Sequence, residues 1–151
     1  MTVRTQPLFT LTLTVAPAQP LGRTPAGERR VVAVLGGSFE GERLRGTVEP
    51  GGSDWIMVKP DGALHLDVRL VLKTQDGALV GMTYRGIRHG PAEIIERVNR
   101  GEAVDPSSYY FRAMVAIETG SQTYAWLNNI AAVATGSRRP EGPIYEVYEV
   151  L

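Results

Sequence analysis

Leu64-His65-Leu66-Asp67-Val68-Arg69-Leu70-Val71-Leu72-Lys73 carries an apolar residue at every even position. Side chains of successive strand residues point to opposite faces, so this period marks a half-buried β-strand. Pro60-Asp61-Gly62 precedes the run and Gln75-Asp76-Gly77 follows it. Glycine takes positive φ without strain, and Asp-Gly between alternating runs is a hairpin signal. Trp55 to Lys59 lies before the first turn and Ala78 to Ile87 after the second. The segment therefore predicts consecutive antiparallel hairpins.

The same pattern recurs outward. Phe9, Leu11, Leu13 and Val15 alternate with Thr10, Thr12 and Thr14, until Pro17 and Pro20 break the run. A polar loop is predicted from there to about Glu28. Arg30 to Leu35 reads as a short strand ended by Gly36-Gly37, and Leu44 to Glu49 as another ended by Pro50-Gly51-Gly52. Tyr109 to Glu118, Thr123 to Ala134 and Ile144 to Val150 supply three more β segments. Gly120-Ser121 separates the first two of these, and the stretch from Gly136 to Pro143 the last two. One segment departs from this pattern: Pro91 to Arg100 is predicted as a short helix, with Pro91 at its first position and Gly101 just past its end. Ile94, Ile95 and Val98 would share its apolar face.

The reading is thus mainly β: a single domain over residues 1–151, an antiparallel barrel of about nine or ten strands with one short helix. Short turns between successive strands favour a barrel over a sandwich, and closure removes exposed edges.

Composition narrows the function. The chain has 16 basic and 16 acidic residues, a balance that disfavours a nucleic-acid partner. It has no cysteine, which excludes disulfides, a thiolate nucleophile and zinc–thiolate or iron–sulfur sites. Two histidines, His65 and His89, are too few for a three-histidine metal centre. No Gly-x-Ser-x-Gly elbow or phosphate loop occurs. No apolar run reaches the roughly 20 residues that span a bilayer, and the N-terminal residues do not read as a secretion signal. The expectation is a cytoplasmic protein with no metal, no cofactor, no nucleic-acid partner and no membrane partner.

Polar and aromatic residues inside strong β segments mark the candidate site, because the lumen of a small barrel is where they can meet a ligand. Asp54, after a flexible Gly51-Gly52 turn, reads either as a general base at a barrel mouth or as an ordinary loop carboxylate. Arg69 shares a strand face with His65 and Asp67. If that face is inside, its guanidinium can clamp a carboxylate or enolate. Composition alone favours the outside, with the leucines filling the lumen. Tyr110 sits among the rings of Tyr109-Tyr110-Phe111. Trp126 and Asn128 would share one strand face, offering a stacking ring and an amide, or else a core ring and a buried amide.

Several of these residues fall in a wider set of short motifs: Gly36-Gly37-Ser38-Phe39-Glu40-Gly41, Leu44-x-Gly46, Pro50-Gly51-Gly52-Ser53-Asp54-Trp55 and Leu66-Asp67-Val68-Arg69. Thr74-x-Asp76-Gly77, Tyr110-Phe111-Arg112, Trp126-Leu127-Asn128 and Tyr145-x-Val147-Tyr148-x-Val150 complete it. In this order the chain resembles, from about Phe9 to Val150, the bacterial and fungal family known as domain of unknown function 3237. The resemblance implies a small, mostly antiparallel barrel that associates with itself, as a homodimer or higher homo-oligomer. It draws attention to Asp54, Trp55, Arg69, Tyr110, Trp126 and Asn128, and implies little about activity.

The functional expectation is a barrel that binds a small organic molecule bearing a carbonyl or carboxylate and transfers protons on it, as an isomerase, lyase, hydratase or cyclase would. Asp54 would be acid or base, Arg69 and Asn128 oxyanion donors, and Tyr110 a proton relay, with Trp55 and Trp126 walling the substrate. The alternatives are a carrier of an apolar metabolite and an assembly protein with a filled lumen.

Overall fold

A computed structural model describes residues 1–151. Its elements are β1 (Thr5–Val15), β2 (Gln19–Thr24), β3 (Gly27–Glu40), β4 (Arg45–Val48), β5 (Ser53–Val58), β6 (Leu64–Thr74) and β7 (Leu79–His89). Then come α1 (Ala92–Asn99), β8 (Tyr110–Glu118), β9 (Ala131–Arg139) and β10 (Gly142–Val150). Two 3₁₀ turns, Pro106–Ser108 and Ala125–Asn129, flank β8.

Eight strands close an antiparallel barrel in the order β1, β10, β9, β8, β7, β6, β4 and β3, with β3 returning to β1. The two remaining strands prolong barrel strands. β5 continues the line of β4 between β3 and β6, and β2 continues the line of β1 along β3. The mainly β reading, the barrel and the single helix therefore hold.

The hairpin that decided the fold forms as read, with β6 pairing β7 from Leu64↔Arg88 to Lys73↔Leu79. Gly62 and Gly77 take φ of 88° and 90° in the two turns beside β6. The inward face of β6 is Leu64, Leu66, Val68, Leu70 and Leu72, all buried.

Four local expectations change. The stretch from Gly136 to Pro143 does not separate two strands: β9 runs to Arg139 and β10 starts at Gly142, so the pair closes in a tight turn. Gly36-Gly37 does not end a strand. β3 runs through it with a bulge, where its pairing partner on one side passes from β5 to β4. At Gly37 φ is 150° and a Cβ would run into the Thr12 carbonyl oxygen, so only glycine lets β1 lie this close. Gln19–Thr24, read as loop, is a strand that pairs with the start of β3 on one side only, where proline is tolerated. Trp126-Leu127-Asn128, read as strand, is a 3₁₀ turn.

The two ends of the barrel differ. At one end the 3₁₀ turn between β8 and β9 presses Leu127 inward until it is 0% exposed, part of one continuous core. At the other end α1 packs against the barrel through Val98, Ile94 and Ile95, the predicted apolar face. Ile87, Tyr110, Met114 and Val133 remain exposed on the outside of β7, β8 and β9. No helix is long and apolar enough to cross a membrane.

Candidate active site

The barrel is hollow at the α1 end. A cavity of about 280 Å³ opens there, walled by apolar side chains that include Leu13, Val34, Leu64, Leu66, Val68 and Phe111. The polar groups that reach it come from separate elements: Asp54 from β5, Tyr84 and Arg88 from β7, Asn99 from α1, Arg138 from β9 and Tyr145 from β10. Arg30 of β3 also lines it, bridged to Glu28 at 3.4 Å.

Asp54 is the one carboxylate in the lining. It sits across from inward-facing Val68 in the β5–β6 ladder, and its Oδ1 accepts the backbone N–H of Asp67 at 3.1 Å. Burial pushes its carboxyl from 3.8 up to about 6. The Asp67 N–H opposes that rise, the Asp67 carboxylate adds to it, and Arg88 and Arg138 oppose it.

Arg88 is 8% exposed. Its Nη2 donates to Asn99 Oδ1 at 2.8 Å, its Nε has no partner, and its guanidinium lies 5.9 Å from the centre of the Phe111 ring. Burial lowers its pKa, and the positive charge of Arg138 lowers it further. Neither Arg88 nor Arg138 has a carboxylate within the 4.0 Å of a salt bridge. The Arg138 backbone N–H donates to the Tyr109 hydroxyl at 3.2 Å.

Tyr84 and Tyr145 meet edge to face, ring centres 4.9 Å apart, and Phe111 meets Tyr145 the same way at 5.3 Å. Burial raises the pKa of both phenols, and the Asp54 carboxylate raises both further. Both hydroxyls therefore stay protonated and able to donate. The assembled site can hold an anionic or polarised oxygen on donors and exchange a proton at Asp54.

Of the six residues singled out in the sequence, the structure brings only Asp54 into this cavity. Arg69 is exposed on the outer face of β6, paired with Ser53 and Thr83, because the leucine face points into the barrel. Trp55, next to inward-facing Asp54, points outward and is 48% exposed. Tyr110 is 46% exposed and stacks on His89 at 5.1 Å on the outer wall. Trp126 and Asn128 lie at the opposite, plugged end. There the Arg43 guanidinium covers Trp126 at 4.4 Å. The Asn128 amide closes a loop, accepting the Thr119 N–H at 2.8 Å and donating to the Thr119 carbonyl at 3.0 Å.

A carboxylate, guanidinium groups and an amide line this cavity, but the unpaired guanidinium groups belong to Arg88 and Arg138 and the amide to Asn99. A signal for two of these lay in the sequence. Val80, Met82, Tyr84, Gly86 and Arg88 are in phase on β7, and Ala132, Ala134, Gly136 and Arg138 are in phase on β9. Extending each apolar face by two residues points Arg88 and Arg138 inward. No signal placed Asn99, because its position depends on how α1 docks. No group of three or more His, Asp or Glu side chains is arranged to hold a metal ion.

Comparison with known proteins agrees with this architecture. A UPF0311 protein of Rhodopseudomonas palustris is 35% identical over 150 residues, covering 99% of this chain and 98% of the relative. A crystal structure of a β-barrel-like protein from Acinetobacter baumannii superposes with a TM-score of 0.87 at 37% identity, covering 100% of this chain and 98% of that one. A hydroalkoxylation enzyme of Penicillium herquei is 25% identical over 143 residues, 95% of this chain and 80% of the relative. The crystal structure of an enzyme from the same fungus superposes with a TM-score of 0.75 at 25% identity, covering 99% of this chain and 95% of that one. The family model for proteins of unknown function called DUF3237 matches residues 3–150, and the chain belongs to that family.

Proposed function

We propose that the chain is an acid–base enzyme that adds an O–H group across a carbon–carbon double bond of a small carbonyl- or carboxylate-bearing molecule, or catalyses the reverse elimination. The observation that carries this reading is Asp54: a lone carboxyl in an apolar cavity, its pKa raised to about 6. A carboxyl in that range exchanges protons with a substrate near neutrality. Protonated Asp54 gives its proton to one alkene carbon as the substrate hydroxyl oxygen bonds to the other. The hydroxyl proton then returns to the Asp54 carboxylate. One π bond is lost, one C–H and one C–O bond form, and the carboxyl is regenerated. Tyr145, which shares a hydrogen bond with Tyr84, donates to the substrate carbonyl, in place of Arg69 and Asn128. The hydroalkoxylation named for the Penicillium herquei relative supports addition over other proton transfers.

The test is ring closure of hydroxyl-bearing enones such as 2′-hydroxychalcone, followed by loss of their long-wavelength absorbance. Turnover should have a pH limb near the Asp54 pKa and fall by about 10²–10⁴-fold in Asp54→Asn. Equal turnover in wild type and Asp54→Asn would sink the reading.

A further inference from the structure

We propose that the cavity selects organic anions, seating a carboxylate between the guanidinium groups of Arg88 and Arg138. This names the substrate class of the acid–base site and rests on that reading for the cavity being where substrate sits. The argument is one of charge. A guanidinium enclosed by apolar walls is unfavourable unless an anion and hydrogen bonds compensate it. Arg88, almost fully enclosed, has only a neutral amide, Asn99, on one nitrogen and nothing on Nε. Arg138 forms no side-chain hydrogen bond and no ion pair, yet it lies near enough for its charge to act on Arg88. Of the three arginines lining the cavity, Arg30 is bridged to Glu28, and the two left without an ion pair face a lining with one carboxylate.

The strand register explains why they converge. Arg88 on β7 stands across from Phe111 on β8. On the other side of Phe111, β9 carries Gly136, and a Cβ there would touch the Phe111 ring at 2.8 Å. The ring thus leans over β9 toward the glycine, and Arg138 follows two residues along the same face. The register thus sets Arg88 and Arg138 on strands to either side of Phe111, both lining the cavity. A flat acid that enters the cavity can present its carboxylate to both arginines, whose donors match it in geometry.

The test is calorimetric titration of the full chain at neutral pH with benzoate and 2-naphthoate, against benzamide and 2-naphthamide, which have the same shape without the charge. An acid should bind about tenfold or more tightly than its amide, and Arg138→Gln should erase that preference while changing amide affinity by less than about threefold. Arg138→Lys should restore part of it. Arg138 is the position to vary because Arg88 also anchors α1, and a variant there confounds binding with folding. Equal affinity for acid and amide, no binding of any of the four probes, or a preference that survives Arg138→Gln would overturn the inference. Asp54→Asn separates the two readings, because it should keep the acid preference while abolishing turnover. An acid preference in a protein without turnover removes the acid–base reading alone, and turnover without an acid preference removes this inference alone.

Discussion

Arg88 Nη2 donates to Asn99 Oδ1 at 2.8 Å, joining the last turn of α1 to the inner wall of β7. The contact orients a cation of the cavity and at the same time docks the helix beside the mouth. Asn99→Ala removes the acceptor and leaves the buried guanidinium short of a partner. Unfolding in urea should show a loss of about 1–3 kcal/mol. Asn99→Asp should keep the helix docked but fill the anion site from within, so stability is retained and the preference for 2-naphthoate over its amide disappears.

Asp54 makes stability depend on pH, with a sign opposite to that of a salt-bridged carboxylate. Its folded pKa, about 6, lies above the ordinary 3.8, so the native state binds the proton more tightly than the unfolded chain. The associated stability is present below 3.8 and is lost as pH rises through about 6. Asn mimics the protonated form. Asp54→Asn should therefore be more stable than wild type above about pH 6, by on the order of 1–3 kcal/mol. The difference should vanish toward pH 4. Denaturant midpoints across that interval measure it, and a constant difference would contradict the shift.

Arg69 serves as the outward control. It is exposed on β6, with no hydrogen bond or ion pair from its side chain. Arg69→Gln should leave denaturant stability within about 0.5 kcal/mol of wild type, with ligand preference unchanged. A loss of acid binding in this variant would place the site on the outside of the barrel.

Leu127 closes the far end. Leu127→Ala should destabilise the fold by about 2–5 kcal/mol, the range for a fully buried leucine that leaves a cavity. Because the plug is remote from Asp54, binding of 2-naphthoate by the folded variant should be preserved. Thermal melting paired with titration separates the two effects.

The architecture was legible where one period held over a long run. β6 and β7 declare themselves by alternation and by Asp-Gly turns, and these local rules need no tertiary information. Trp126 and Asn128 misled because period two was carried into a 3₁₀ turn, where residues two apart do not share a face. Gly36-Gly37 reads as a stop in the sequence, because a glycine pair is equally the mark of a turn and of a place where two backbones crowd. At the site, Asp54 was readable from its place after a flexible turn, although Trp55 beside it had to point the other way. Arg88 and Arg138 were missed because an arginine at a strand end is normally taken as solvated. Their inward direction follows only when each strand's apolar phase is carried to its last residue. Asn99 depends on the docking of a helix, which no local pattern encodes.

With Leu127 stoppering one end, the hollow is a cul-de-sac. On the proposed function, product and incoming substrate would share the one passage beside α1. A molecule longer than the chamber can insert one end and leave the remainder in solvent. Chain length beyond that depth would then go unread by the enclosed side chains, and a tail protruding from the doorway would offer a handle for attaching a reporter.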